Sequence, residues 1–154
     1  MGYGVRGPHP VFQTAICYRG PRQPFRNHVF ACAEQKRDGL PGCHARGAQP
    51  TINALRREVG ARGLADTVQI TQCGSVELCE NGPNLVVYPE GVWYSGVQPE
   101  DAAEIVESHF RNGVPVARLA RQDEAATRAE IITNRERYLA SLRAKEAAEK
   151  QAKG

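Results

Sequence analysis

Four cysteines, Cys32, Cys43, Cys73 and Cys79, fall within 48 residues of this chain in the order Cys-x10-Cys, a gap of 29 residues, then Cys-x5-Cys. Each pair brackets a loop-forming stretch. The first runs from Ala33 through Asp38-Gly39-Leu40-Pro41-Gly42, and the second from Gly74 to Leu78, followed by Glu80-Asn81-Gly82-Pro83. A helix and a strand between the two loops would bring them to one end of a sheet, where four sulfurs converge. Four thiolates match the needs of a [2Fe–2S] cluster, in which each iron takes two terminal sulfurs, although the plant-type Cys-x4-Cys-x2-Cys run is absent. Structural zinc draws on Cys-x2–4-Cys knuckles, and thioredoxin-type redox centres need Cys-x-x-Cys; neither pattern occurs. A disulfide framework requires an oxidising compartment, for which the sequence offers no sign. Spacing alone leaves iron–sulfur, zinc and inert thiols open, and Cys17 reads as a small buried hydrophobe.

The order of elements points to an α/β domain. His28 to Ala31 is predicted as a buried strand ending at Cys32. Thr51 to Arg62 has Ile52, Leu55 and Val59 at helical spacing, and Val68 to Thr71 is a second strand. Asn84 to Tyr88 and Val92 to Ser95 form a hairpin across Pro89-Glu90-Gly91, read as a type I turn. Pro99 then opens a helix whose inner face is Ala102, Ile105, Val106 and Phe110, and Gly113 ends it. A β-α-β unit, a hairpin and a helix give a mixed sheet with helices packed on it.

Two segments flank this domain. Residues 1–26 hold four arginines, many glycines and prolines and no acidic residue. Such a stretch cannot bury enough apolar surface to offset its ordering entropy, and its prolines break the amphipathic helix of a transit peptide, so a flexible basic extension is expected. Residues 121–154 are charged and alanine-rich, with Glu124 and Arg128 in a favourable i,i+4 order. Ile131, Ile132, Tyr138, Leu139 and Leu142 form a narrow stripe suited to docking on the domain, a second protomer or a partner. A net charge of +3 argues for neither nucleic acid nor membrane, and no apolar run approaches a membrane span of about 20 residues.

The stretch from His28 to about Leu119 resembles the thioredoxin-like [2Fe–2S] ferredoxins of the Shethna-protein type. The resemblance rests on His28-Val29-Phe30-Ala31-Cys32, Gly42-Cys43-His44-Ala45-Arg46-Gly47 and, above all, the run from Leu78 to Tyr94 containing Cys79-Glu80-Asn81-Gly82-Pro83 and Val86-Val87-Tyr88-Pro89-Glu90-Gly91. It implies a thioredoxin-like mixed sheet flanked by helices over residues 27–120. It also implies a [2Fe–2S] cofactor, a redox partner protein, a homodimer and a cytoplasmic electron carrier rather than an enzyme. Cys32, Cys43 and Cys79 are the implied ligands. The family pattern ends in Cys-x3-Cys, which would put the other ligand at position 75, where this chain has Ser75, with Cys73 two residues earlier. Thiolate is the softer donor, so Cys73 is expected as the fourth ligand, with Ser75 as the alternative. His44 is expected to be an exposed loop residue. Lys36, Arg37 and Arg46 form a basic rim that is solvated, favours the more negative reduced cluster or steers an acidic partner. The other readings are a partner protein whose docking follows its oxidation state and a zinc-stabilised interaction module. No proposed ligand lies in the tail, so its loss is expected to leave the cluster site unchanged.

Overall fold

The computed structural model describes residues 23–36 and 42–153. The expectations for Cys17, for the segment up to residue 22, and for Arg37 and Gly39 lie outside that range. Four strands, β1 (Asn27–Cys32), β2 (Val68–Cys73), β3 (Leu85–Tyr88) and β4 (Val92–Tyr94), form one sheet in the order β2-β1-β3-β4. β1 pairs with β2 in parallel and with β3 antiparallel, and β3 and β4 make the hairpin, with Gly91 at a φ of +70°. The mixed thioredoxin-like sheet expected from the sequence is therefore present.

Helix α1 (Ala48–Ala61) supplies the parallel crossover. It begins three residues before the sequence reading placed it. Pro50 falls in the first turn, where a missing N–H breaks no bond, and Gly47 turns the chain into the helix at a φ of +90°. The buried Thr51 hydroxyl donates to Gly47 O at 3.0 Å and also faces Val97 O at 3.1 Å, tying the helix start to the segment after β4. Residues 99–111 form one continuous helical segment, α2. It comprises a 3-10 turn (Pro99–Asp101), one α turn (Ala102–Glu104) and a wider π stretch (Ile105–Arg111).

Val29, Ala31, Val68, Ile70, Leu85 and Val87 line one sheet face and share a core with Ile52, Leu55, Val59, Ile105, Val106 and Phe110. Each fully buried side chain of this size contributes about 1.5–3 kcal/mol. The opposite face carries aromatic groups: His28 stacks on Phe30 at 4.4 Å, Phe30 meets Tyr88 edge-on, and Tyr88 is 44% exposed. Helix α3 (Glu124–Lys153) starts at Asp123, whose carboxylate accepts the Ala126 N–H at 2.8 Å. Thirty residues extend about 45 Å. Its residues from Thr127 to Arg137 contact the domain, and Ile132, Tyr138, Leu139 and Leu142 are all exposed. No helix among the described residues is long and apolar enough to cross a membrane.

His109 lies in this core as a structural group. The Val116 N–H donates to the Tyr94 hydroxyl at 3.0 Å, which in turn donates to His109 Nδ1 at 2.8 Å. The other ring nitrogen faces Glu90, 3.8 Å away, and that carboxylate accepts both of its bonds from Asn27. Burial lowers the His109 pKa, with Arg26 adding to the shift and Glu90 opposing it. The unfolded chain, near the usual value of about 6.5, then binds a proton that the folded chain refuses. Stability is fully present above that value and is lost as pH falls below it. Chemical denaturation between neutral and mildly acidic pH should therefore show a decline that His109→Gln flattens. An unchanged slope in the variant would assign the decline to other groups.

Candidate metal centre

The parallel pairing of β1 and β2 ends with Cys32 and Cys73 in register, so both strands deliver a cysteine to the same edge of the sheet. Cys43 joins them from the approach to α1. Its carbonyl accepts N–H groups from Arg46 and Ala48, at 3.1 and 3.0 Å, which folds the loop into the first helical turn. The His44 N–H donates to Glu34 O at 3.1 Å, pinning the loop after Cys43 to the segment after Cys32. His44 itself is exposed, as expected.

Cys32 and Cys43 are buried together with Ala48, and Cys73 and Val76 pack against them. The Cys43 thiol donates to the Cys32 sulfur, and the backbone N–H groups of Glu34 and Val76 point at the same atom. Together they bring the Cys32 pKa down to about 6 against the opposing effect of burial. Cys43, as the donor of the pair and in a dry site, is pushed up. Cys73 is raised by burial and then by its neighbour Cys32.

Asn84 completes this half of the site. Its side-chain amide donates to Leu78 O at 2.8 Å and approaches the Cys43 sulfur at 3.5 Å, and its backbone N–H is also directed at that sulfur. The sequence reading passed over Asn84 as part of a strand. The signal available was a polar residue at the start of the otherwise apolar Leu85-Val86-Val87, where burial is affordable only with partners.

The second loop holds Cys79, buried at the start of a short 3-10 turn (Cys79–Asn81). The Glu77 N–H donates to Ser75 Oγ at 2.9 Å, and the Ser75 hydroxyl is hydrogen-bonded to Cys79 Sγ at 3.1 Å, as the donor once that sulfur is a thiolate. Ser75 is thus hydrogen-bonded to Cys79, while Cys73 packs against Cys32 and Cys43. Of the basic rim, Arg46 is exposed and Lys36 half-buried.

Among the described residues no three His, Cys, Asp or Glu side chains converge as they would around one ion. A [2Fe–2S] cluster takes two terminal ligands on each iron, and here Cys32 and Cys43 are buried side by side with Cys73 packed against them, while Cys79 is buried in the second loop. The donor set fits such a group. Cys32, Cys43 and Cys79 are buried, and N–H groups face the Cys32 and Cys43 sulfurs, as the buried ligands of an anionic cluster require. A glycine also makes room: a Cβ on Gly82 would lie 2.6 Å from Cys43 Sγ.

No protein-family model matches the chain. Comparison with curated proteins and solved structures is informative. The chain is 36% identical over 96 residues to a 2Fe-2S ferredoxin of Clostridium pasteurianum, covering 61% of this chain and 94% of that protein. It is 42% identical over 95 residues to a 2Fe-2S ferredoxin of Aquifex aeolicus, covering 60% and 86% respectively. The crystal structure of the thioredoxin-like [2Fe-2S] ferredoxin from Aquifex aeolicus superposes with a TM-score of 0.60 at 39% identity, over 64% of this chain and 99% of that one. Ferredoxins are electron carriers rather than enzymes. The chain belongs to the thioredoxin-like [2Fe–2S] ferredoxin family.

The close approach at Gly82 predicts opposite outcomes for two alanine substitutions. Gly82→Ala forces a methyl group onto the Cys43 sulfur, and such overpacking costs about 1–3 kcal/mol. Gly60, on α1, has open space around it, so Gly60→Ala should stabilise by about 0.5–1 kcal/mol. Denaturant unfolding of both variants in the metal-free state checks the contrast.

Proposed function

We propose that this protein is a soluble, cytoplasmic one-electron carrier that holds a [2Fe–2S] cluster on Cys32, Cys43, Cys73 and Cys79 and exchanges electrons with a larger redox enzyme. The observation that carries this reading is the buried Cys32–Cys43 pair, faced by N–H groups from Glu34, Val76 and Asn84, in a chain of this family. When bound, the cluster supplies the one-electron chemistry. The protein's part is to exclude water, supply sulfur ligands and direct hydrogen bonds at them, which together set the reduction potential. A reducing compartment keeps such thiols unbridged. Residues 27–120 form the electron-carrying unit, and residues 121–154 are an appended helical tail.

Two arguments support Cys73 over Ser75 as the fourth ligand. Thiolate is the softer donor, and Cys73 packs against the Cys32–Cys43 pair. The Ser75 hydroxyl already accepts from Glu77 and donates to Cys79, a role that tunes a ligand sulfur rather than replacing one. Anaerobically purified protein should be red-brown with about two iron and two sulfide per chain. Cys73→Ser should shift the charge-transfer bands and make the iron labile. Ser75→Ala should keep the iron and lower the potential, since a hydrogen bond to sulfur favours the more negative reduced state. The reverse pattern would make Ser75 the ligand, and a colourless protein with stoichiometric zinc would sink the ferredoxin reading.

A homodimer is part of the proposal. The aromatic face formed by His28, Phe30 and Tyr88 and the exposed stripe of α3 both offer apolar surface. Sedimentation at micromolar protein should report a dimer, and a monomer would refute it.

A further inference from the structure

The expectation that losing the tail leaves the site unchanged considers ligands alone, but α3 also contacts the loop that carries Cys79. Three residues around Cys79 are each tied to α3. The Glu77 carbonyl accepts from Asn134 Nδ2 at 2.8 Å, and the Glu77 carboxylate accepts from Arg135 Nε at 2.9 and 3.1 Å. Asn81, at the end of the turn that begins with Cys79, bonds the Glu130 carboxylate, which also pairs with Arg121. Glu80 faces Arg137 at 3.8 Å. These contacts come from successive turns of one helix and meet one loop of five residues, 77–81.

Glu77 is the most informative of them. It has a φ of +64° and, among the described residues, is the only non-glycine at positive φ. A side chain with a Cβ holds that conformation only where its surroundings over-determine it. Here the residue is held at its carbonyl by Asn134, at its carboxylate by Arg135 and at its N–H by Ser75 Oγ. The effect of the turn reaches both halves of the metal centre. Through Ser75 it fixes the hydroxyl that donates to Cys79 Sγ. One peptide upstream, between Ser75 and Val76, the Val76 N–H points at the Cys32 sulfur.

We propose that Asn134 and Arg135 are positioning residues for the metal centre, and that α3 acts as a strap holding the Ser75–Cys79 loop in its sulfur-donating conformation. This rests on the reading of the site as a cluster-binding one. The ion pair itself is mostly solvated, Arg135 being 55% and Glu77 32% exposed, so its effect on global stability is small. Its consequence is local, in the loop conformation that the hydrogen bonds to sulfur require. Coupling of this kind is reciprocal: whatever the docked helix does to favour cluster retention, the bound cluster does to favour helix docking.

The test uses full-length protein carrying Asn134→Ala together with Arg135→Ala. Arg143→Ala, on the exposed distal part of the same helix, serves as a control. Hydrogen exchange of residues 75–81, iron loss to a chelator, the reduction potential and the EPR spectrum are measured. The double variant should exchange this loop several-fold faster, lose iron several-fold faster and shift both the potential and the spectrum. Arg135→Lys in an otherwise native chain should retain most of the native behaviour, and the control should match wild type throughout. A double variant with native loop exchange and a native potential overturns the proposal. If wild-type protein holds no cluster, the ferredoxin reading falls instead. The exchange measurement then decides the strap by itself, native loop protection in the double variant again overturning it.

Discussion

The parallel pairing of β1 with β2 is the constraint from which the site follows. Parallel neighbours must be joined by a crossover, so the chain leaves β1 at Cys32, passes through the Cys43 loop, runs back along α1 and re-enters the sheet at Val68. Both strands then point the same way and end at the same edge, with Cys32 and Cys73 in register. An antiparallel pairing would have put the two cysteine loops at opposite ends. The apolar stripe of α1 and the inward residues of β1 and β2 therefore do two things at once. They build the core, and they determine that cysteines about forty residues apart in sequence become neighbours.

Gathering thiols in a dry corner raises an electrostatic difficulty, because burial disfavours the charged form that metal binding needs. The fold answers it locally. Chain segments leaving β1, entering β3 and forming the second loop turn the N–H groups of Glu34, Asn84 and Val76 toward the Cys32 and Cys43 sulfurs. At Cys32 the pKa falls well below the usual thiol value despite burial, the Cys43 thiol contributing most and the Glu34 and Val76 N–H groups adding to it. Close approach is part of the same solution. A side chain at Gly82 would occupy the Cys43 sulfur's space, and one at Gly42 would lie 2.5 Å from Glu34 O. Both glycines are needed for room rather than for unusual dihedrals.

Much of this was legible in the sequence, and what was missed has a common cause. Periodicity located all four strands and both domain helices to within a few residues, because Ile52, Leu55 and Val59 or Ile105, Val106 and Phe110 report burial directly. Cysteine spacing placed the two loops. Contacts between side chains distant in sequence are not periodic and left no such trace. Asn84 looks like any strand-flanking asparagine until Cys43 is seen beside it, and Ser75 looks like a turn residue until its hydroxyl is found at Cys79. The tail shows the same limit. Of its apolar stripe, Ile131 is half-buried while Ile132, Tyr138, Leu139 and Leu142 are exposed, whereas polar Thr127, Glu130 and Asn134 face the domain.

That inversion bears on how the tail relates to the ferredoxin unit. A match of 96 residues accounts for 94% of the Clostridium pasteurianum ferredoxin, yet for only 61% of this chain. A helix docked through an apolar stripe would become part of the core, contributing stability whatever happened at the metal centre. A helix docked through a few hydrogen bonds and largely exposed ion pairs contributes little to global stability. The contacts α3 does make are concentrated on the loop that carries Cys79, and the apolar side chains that would anchor it elsewhere are left facing solvent. Weak docking at the metal centre combined with an unfilled apolar face is the arrangement in which a change at the centre has most leverage on the tail.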